Sequence, residues 1–438
     1  MGCYRILASF AVVSGLTLAV AACGGSGDDN AVKSLPSSSC QKVEYGGDGK
    51  PDVLIASDLP AQGASRERTA QQVEAIRLAL DERGWRAGNK RVAFQPCDDS
   101  IASTGLWDAA KCRGNGHAYA GDADVMGVIG TYNSGCAKEI MPVTNRAAEG
   151  GVAMISPGNT LVCLTLTSDT CARDEPRKYY PTGKRNYVRV VPNDAYQGAG
   201  LARFARQRGF RRVFVLYASN DPTSLGQGTT FRNASKQLGN PIVGFEQWDP
   251  KATDFKDLMR DAKKRNADAI VLAGLIEQNG DRLIKDKVSV LGPNSDVGLM
   301  AYDGFAQQST IDKAGPAADG MFASVPGRAP ENLAPRGKKF VAKLRQRLGG
   351  KPVEIYAPYA GEAAVLLLDA IGKAGADRAG VIDAVFGSQV QGGILGSFDF
   401  EPSGDPSSGP VTVFVARKTF RPFAEITPAI GLVNAARG

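Results

Sequence analysis

Val125-Met-Gly-Val-Ile-Gly-Thr-Tyr-Asn-Ser134 and Val152-Ala-Met-Ile-Ser-Pro-Gly-Asn-Thr160 decide the fold. Each is an apolar run of strand length that stops in a loop of Gly, Pro, Asn, Ser or Thr. Small hydroxyls and free backbone N–H groups at the carboxyl ends of parallel strands are how an open α/β sheet holds a small anion. Neither loop carries a nucleophile beside its base, so the pair points to binding and not to catalysis.

Outward from these loops, strand and helix alternate. Val53–Ser57, Arg91–Gln95, Asp124–Ile129 and Val152–Ser156 are short, apolar and partly β-branched. Between the first two, Val73, Ile76 and Leu80 recur at helical spacing. They predict a helix over 66–83, ended by Gly84, with Arg66, Arg68, Glu74, Arg77 and Asp81 mainly on other faces. A second series follows: Arg212–Tyr217, Ile242–Glu246, Ala269–Ala273, Val297–Ala301 and Gly320–Ala323. Strands separated by helices every 25–30 residues or so are βαβ units, hence parallel sheets. Nine strands split by an insertion over 157–186 predict an α/β protein of two doubly wound lobes. Pro335 to Gly375 reads as strongly helical.

The N-terminus sets the compartment. Arg5 precedes an apolar run from Ile6 to Val20, too short to span a bilayer, and Val20-Ala-Ala-Cys23 ends it. The cysteine after small residues resembles a bacterial lipobox. That resemblance implies cleavage before Cys23 and a diacylglycerol thioether on its sulfur, with an ordinary secretory signal as the competing reading. Gly24 to Ser39, rich in Gly, Ser and Asp, reads as a flexible tether. No other run of 18 apolar residues occurs, so the rest of the chain is expected to be soluble. The formal charge of +7 is interspersed, without a long basic run or aromatic-basic interleaving, which argues against nucleic acid.

Eight cysteines fit export. Cys3 leaves with the signal and Cys23 takes the lipid. Cys40, Cys97, Cys112, Cys136, Cys163 and Cys171 remain, and an even number suggests disulfides, of fifteen possible connectivities. Cys163 and Cys171 flank a short polar loop and are the first pair expected. Cys97 with Cys136, after neighbouring strands, would leave Cys40 with Cys112. Zinc would need C-x-x-C spacing or histidines; His117 is the sole histidine, and no metal or cofactor is expected.

The chain resembles the leucine/isoleucine/valine-binding class of ABC-transporter solute-binding proteins, with the type I periplasmic-binding fold. The resemblance runs from about Pro51 to Asp405. It rests on Asp52-Val-Leu-Ile-Ala-Ser-Asp-Leu-Pro60, Cys97-Asp-Asp-Ser100, Gly127-Val-Ile-Gly130 with Ser134, Met154-Ile-Ser-Pro-Gly-Asn-Thr160, Asp194 with Gln197-Gly198, Leu225-Gly-Gln-Gly228, Asp254-Phe255, Asp303-Gly304 and Phe398-Asp-Phe400, in this order. It implies three inter-lobe crossings, near Val191, Val325 and Phe398. The domains expected are a lipoprotein signal over 1–22, a tether over 23–50, lobe 1 over 51–191 plus 326–398, lobe 2 over 192–325 plus 399–430, and a tail over 431–438. It also implies that a ligand α-carboxylate meets Ser134, Gly158 and Thr160, while Asp303 in the other lobe takes an ammonium. Donors at one end and an anion at the other suit a zwitterion, and a ligand bridging the lobes stabilises closure. Leu225 and Leu275 stand where relatives often present tyrosines, and Ala61-Gln-Gly-Ala64 lacks an aromatic, so a branched-chain ligand is not implied. Tyr132 and Tyr302, beside the matched residues, are expected to fill the space.

Blander readings exist for each residue. Ser134 could cap a helix starting near Ala137. Thr160 could be a loop hydroxyl and Asp303 a turn residue. Asp98-Asp99 reads better as a strand end satisfying loop N–H groups than as a catalytic pair. Gly226 and Gly228 flank Gln227 without the Lys-Ser/Thr of a P-loop. With no G-x-S-x-G elbow and no histidine-based triad, an enzyme is not expected. The expectation is a lipid-anchored monomer on the outer face of the cytoplasmic membrane or in the periplasm. It would deliver an amino acid to an ABC permease and its ATPase. A ligand-sensing accessory module and a secreted enzyme are the alternatives.

Overall fold

The computed structural model describes residues 32–438; the signal segment and Cys23 lie outside the described residues. The first sheet holds β1 (Val53–Asp58), β2 (Arg86–Ala87), β3 (Lys90–Cys97), β4 (Val125–Gly130), β5 (Ala153–Ser156) and β6 (Tyr187–Arg189) in the order β2-β3-β1-β4-β5-β6. All its pairings are parallel except the β2–β3 hairpin. Helices α1 (Arg66–Glu82), α2 (Ala109–Gly121) and α3 (Ser134–Asn145) follow β1, β3 and β4.

The second sheet is built from β7 (Val213–Ala218), β8 (Ile242–Trp248), β9 (Ala269–Ala273), β10 (Gly298–Ala301) and β11 (Phe322–Pro326). Before and between them run α4 (Asp194–Gln207), α5 (Pro222–Gln237), α6 (Lys256–Lys264), α7 (Gly280–Leu291) and α8 (Gln308–Ala314). The chain then returns to the first sheet as α9 (Pro335–Arg347), α10 (Ala357–Ala374) and α11 (Arg378–Phe386), which pack on α1, β4 and β5. A short hairpin, β12 (Gln389–Val390) with β13 (Phe398–Asp399), precedes the last crossing. Strands β14 (Val411–Ala416) and β15 (Phe420–Ile426) then add to β11 antiparallel, and α12 (Ile430–Arg437) closes on α4 and α5. The chain thus changes sheets three times, which is the type I periplasmic-binding fold.

Alternation along the central strands explains the two-sided cores. On β1, Val53 and Ile55 enter one apolar cluster and Leu54 and Ala56 the other. On β7, Val213 and Val215 split from Phe214 and Leu216 in the same way. With both faces covered by helices, near-continuous apolar strands are what a parallel sheet requires.

All nine expected strands form. The reading missed β6, only three residues long, and the antiparallel β14 and β15, which lie beyond the βαβ repeat. The helical segment after Pro335 is two helices, parted where Gly349 and Gly350 take φ of +65° and +87°. The tether expected over 23–50 is corrected for its described part. Val32 and Leu35 are buried, and the segment runs back along β3, bridging at Cys40–Cys97 and Glu44–Phe94. Gln95 fastens it, accepting from the Leu35 N–H at 2.9 Å and donating to the Gln41 carbonyl at 2.6 Å.

Three disulfides occur among the described residues: Cys40–Cys97, Cys112–Cys136 and Cys163–Cys171. The last was expected. The pairings Cys97–Cys136 and Cys40–Cys112 are overturned. Cys136 lies in the first turn of α3 and faces α2, while Cys40 meets Cys97 through the segment misread as tether. The bridges close loops of 57, 24 and 8 residues. Chain entropy then ranks their contributions at about 4, 3.5 and 2.5 kcal/mol. Paired Cys→Ala replacements should lower the urea midpoint in that order, most for Cys40 with Cys97; the reverse order would refute the ranking.

Candidate functional site

The sheet topology places the loops after β4 and β5 against lobe 2. The two loops are laced together: Asn159 Nδ2 donates to the Tyr132 carbonyl at 3.0 Å, and Ser156 Oγ to the Thr131 carbonyl at 2.9 Å. Facing them are the turn after β10, with Asp303, and the N-terminal parts of α4 and α5.

Asp303 is the centre of the lobe 2 side. It is buried, and its carboxylate accepts from Tyr356 Oη of lobe 1 at 2.9 Å and from Gln227 Nε2 at 3.3 Å. Burial pushes its pKa up, against the pull of the Tyr356 hydroxyl, the Gln197 amide and the Arg68 charge. Arg68, in the first turn of α1, is 1% exposed. It donates to Tyr132 Oη at 2.6 Å and to the Asp303 carbonyl at 3.4 Å, also to the Ala306 carbonyl, and its Nε lies 3.4 Å from Glu354. Tyr132 meets Tyr356 edge-on at 6.1 Å. Ser65 Oγ donates across the lobes to Glu277 at 2.8 Å.

A cavity of about 360 Å³ opens between the lobes here. Trp107, Asn133, Ser134 and Lys138 line it from lobe 1; Asp221, Ser224, Gln227, Leu275 and Gln278 line it from lobe 2. A larger one, about 460 Å³, lies beside Glu354 and Ala306 and contains none of the expected ligand residues.

Ser134 is the first residue of α3, not its cap; Asn133 holds that position, and the helix starts three residues earlier than expected. Its Oγ accepts from the Leu161 N–H at 3.3 Å. The Gly158 N–H ends on Ser156 Oγ at 3.2 Å, and a Cβ there would come within 3.0 Å of the Tyr132 ring. The Thr160 carbonyl accepts from the Asp194 N–H at 2.7 Å. The donors expected to bind a carboxylate are therefore largely engaged within their own loop, and a ligand has to exchange with them. Tyr132 stands at the lobe interface as expected. Tyr302 does not fill ligand space. It packs in the lobe 2 core, where its hydroxyl donates to the Gln227 carbonyl at 2.6 Å and meets Thr230 Oγ1 at 3.2 Å. Leu275 is half-buried on the cavity wall, whereas Leu225, in the first turns of α5, is not among the lining residues.

Asp98 ends β3 as a loop organiser, accepting from the Ala61 and Ser100 N–H groups at 2.8 Å and pairing with Lys111. Burial would raise its pKa, but these donors outweigh it and hold it at about 2. Asp99 turns inward instead, beside Asp58, and burial and that neighbour push it well up.

The residues that sequence reasoning missed are Arg68, Tyr356, Gln227 and the Arg189–Asp405 pair. Arg68 had been placed among surface charges of α1, and Tyr356 was read only as the start of a helix. Arg189 is fully buried and donates to Asp405 at 2.6 Å and to the carbonyls of Asn159 and Leu161 at 3.0 and 2.9 Å. It thereby holds the loop that carries Thr160.

The family described as "Periplasmic binding protein" matches residues 117–419. The chain belongs to this family. It is 27% identical over 394 residues to the Leu/Ile/Val-binding protein homolog 2 of Brucella abortus, covering 86% of this chain and 94% of the relative. Among solved structures, the leucine binding protein LivK of Thermotoga maritima superposes with a TM-score of 0.73 at 22% identity, over 86% of this chain and 99% of that one. A solute binding protein of R. palustris in complex with 4-hydroxybenzoate gives 0.71 at 17%, over 86% and 97%. No helix among the described residues is long and apolar enough to cross a membrane.

Proposed function

We propose that this periplasmic binding protein captures an amino acid or similar small zwitterion by lobe closure and delivers it to an ABC permease and its ATPase, held at the outer face of the cytoplasmic membrane by a lipid on Cys23. The observation that carries the reading is Asp303: a buried carboxylate on lobe 2, bonded across the interface to Tyr356 of lobe 1, opposite the Ser134 and Thr160 loops. A buried anion of this kind calls for a cationic partner. The 4-hydroxybenzoate complex of a fold neighbour favours an aromatic acid as the second reading. An anion without an ammonium would meet Asp303 unpaired, which disfavours it.

The test is a thermal-shift screen of the mature protein against amino acids, amines and aromatic acids. A ligand at one hundred times its Kd stabilises by about 2.7 kcal/mol through mass action. A shift with an aromatic acid and none with any amino acid would overturn the reading. For the anchor, Cys23→Ser should release the protein from membrane pellets that retain the parent; equal fractionation, with no lipid label on either form, would exclude it.

A further inference from the structure

We infer that the cleft selects a basic amino acid: a solute with a second cationic nitrogen group, one positive group for Asp303 and one for Asp194. This rests on the binding reading above and names its substrate class.

Asp194 opens α4, and its residue is 0% exposed. Neither of its carboxylate oxygens has a hydrogen-bond partner among the described residues. The Thr160 hydroxyl and the Gln227 amide lie near enough to temper its charge, without completing a bond. A buried carboxylate left in that condition costs free energy and calls for an explanation. Its position supplies one. Thr160 and Gln227 both belong to the candidate site, and Gln227 lies on the cavity wall and donates to Asp303.

The remaining unmatched groups around Asp303 point the same way. Gln227 Oε1, Gln197 Oε1 and Glu277 Oε2 are buried acceptors without donors among the described residues. Gln197 cannot turn to serve, because its Nε2 donates to the Ser324 carbonyl and hydroxyl at 2.9 and 3.1 Å. The charge balance agrees. Asp194, Asp303, Glu277 and Glu354 stand around one guanidinium, Arg68, which already serves Tyr132 and three carbonyl or carboxylate oxygens. The α-ammonium of a neutral amino acid satisfies one carboxylate and leaves the other. A benzoate would add a third anion beside two unscreened ones. A side-chain ammonium or guanidinium brings the missing donors.

Burial, with the Asp303 charge behind it, raises the Asp194 pKa to about 8. The groups facing it are Thr160, Gln227, Tyr302, Asp303 and Arg189, and the Arg189 charge is spent on Asp405. At pH 7 the carboxyl is mostly protonated, and an arriving cation replaces that proton. Binding should therefore release a proton, and affinity should rise from pH 6.5 toward 8.5.

The experiment is calorimetry of the full mature protein with lysine, arginine, leucine and 4-hydroxybenzoate, at pH 6.5 and 8.5. Lysine or arginine should bind about 30-fold or more tighter than leucine, with proton release seen between buffers of different ionisation heat. Asp194→Asn should abolish both the preference and the pH slope while leaving leucine unchanged. Leucine binding as well as lysine overturns the inference and leaves the proposed function standing. Binding of 4-hydroxybenzoate alone overturns both. The selectivity of the parent protein decides the matter even if the variant fails to fold.

Discussion

Asp303→Asn should cost about 2–5 kcal/mol of ligand affinity, or about 30- to several-thousand-fold. The substitution keeps the shape of the side chain and removes the charge that pairs with a buried ammonium. It should not cost stability in the ligand-free protein. Burial disfavours the ionised form of Asp303, so removing that charge relieves a desolvation penalty, and the amide oxygen can still accept from Tyr356 or Gln227. Ser134→Ala should show the opposite division. It loses one acceptor for the Leu161 N–H, worth about 1 kcal/mol of stability, and less affinity than Asp303→Asn. Calorimetry with the ligand identified by thermal shift, beside the melting midpoint of each variant, separates the two effects. Normal binding by Asp303→Asn would mean that no ammonium sits there, and the ligand would then be a neutral polar solute or an acid on the same fold.

The parts of this molecule that were legible in its sequence are those whose signal is local. Val53–Ser57 and Ala269–Ala273 are apolar, strand-length and followed by helical spacing, and each became a buried parallel strand. Cys163 and Cys171 are close enough in sequence that few other partners could reach them. Asp303 and Ser134 were found only because the order of many weak motifs resembles a family. What escaped depends on distant pairing. Arg68 looks like any helix-surface arginine until Tyr132 and the turn at Asp303 are brought beside it from 64 and 235 positions away. The segment from Val32 has the composition of a linker, yet a disulfide and Gln95 bind it to β3. Tyr302 shows the converse. Adjacency to Asp303 suggested a ligand contact, but neighbours in sequence need not share a face, and its hydroxyl is committed to the backbone of α5.

The pair Arg189–Asp405, 216 positions apart, carries the largest expected stability effect. Arg189 is fully buried on β6, and Asp405 belongs to the last crossing between the sheets. Burial opposes the Arg189 charge, and the Asp405 carboxylate more than restores it, so its pKa stays raised. Thr165 Oγ1 and Ser403 Oγ also donate to Asp405, at 2.8 and 3.1 Å. Asp405→Ala leaves the guanidinium buried without its counter-charge, and breaking one side of such a pair costs about 3–5 kcal/mol. Replacing both partners by apolar residues of similar volume, Arg189→Met with Asp405→Leu, should cost less, because no charge is stranded. The double variant should nevertheless bind ligand weakly. It loses the two bonds from Arg189 to the Asn159 and Leu161 carbonyls, which set the position of Thr160. Urea unfolding and ligand titration of the three variants therefore test two separate roles. A double variant less stable than Asp405→Ala would refute the stranded-charge argument. One that binds as well as the parent would show that the Thr160 loop holds its shape without Arg189.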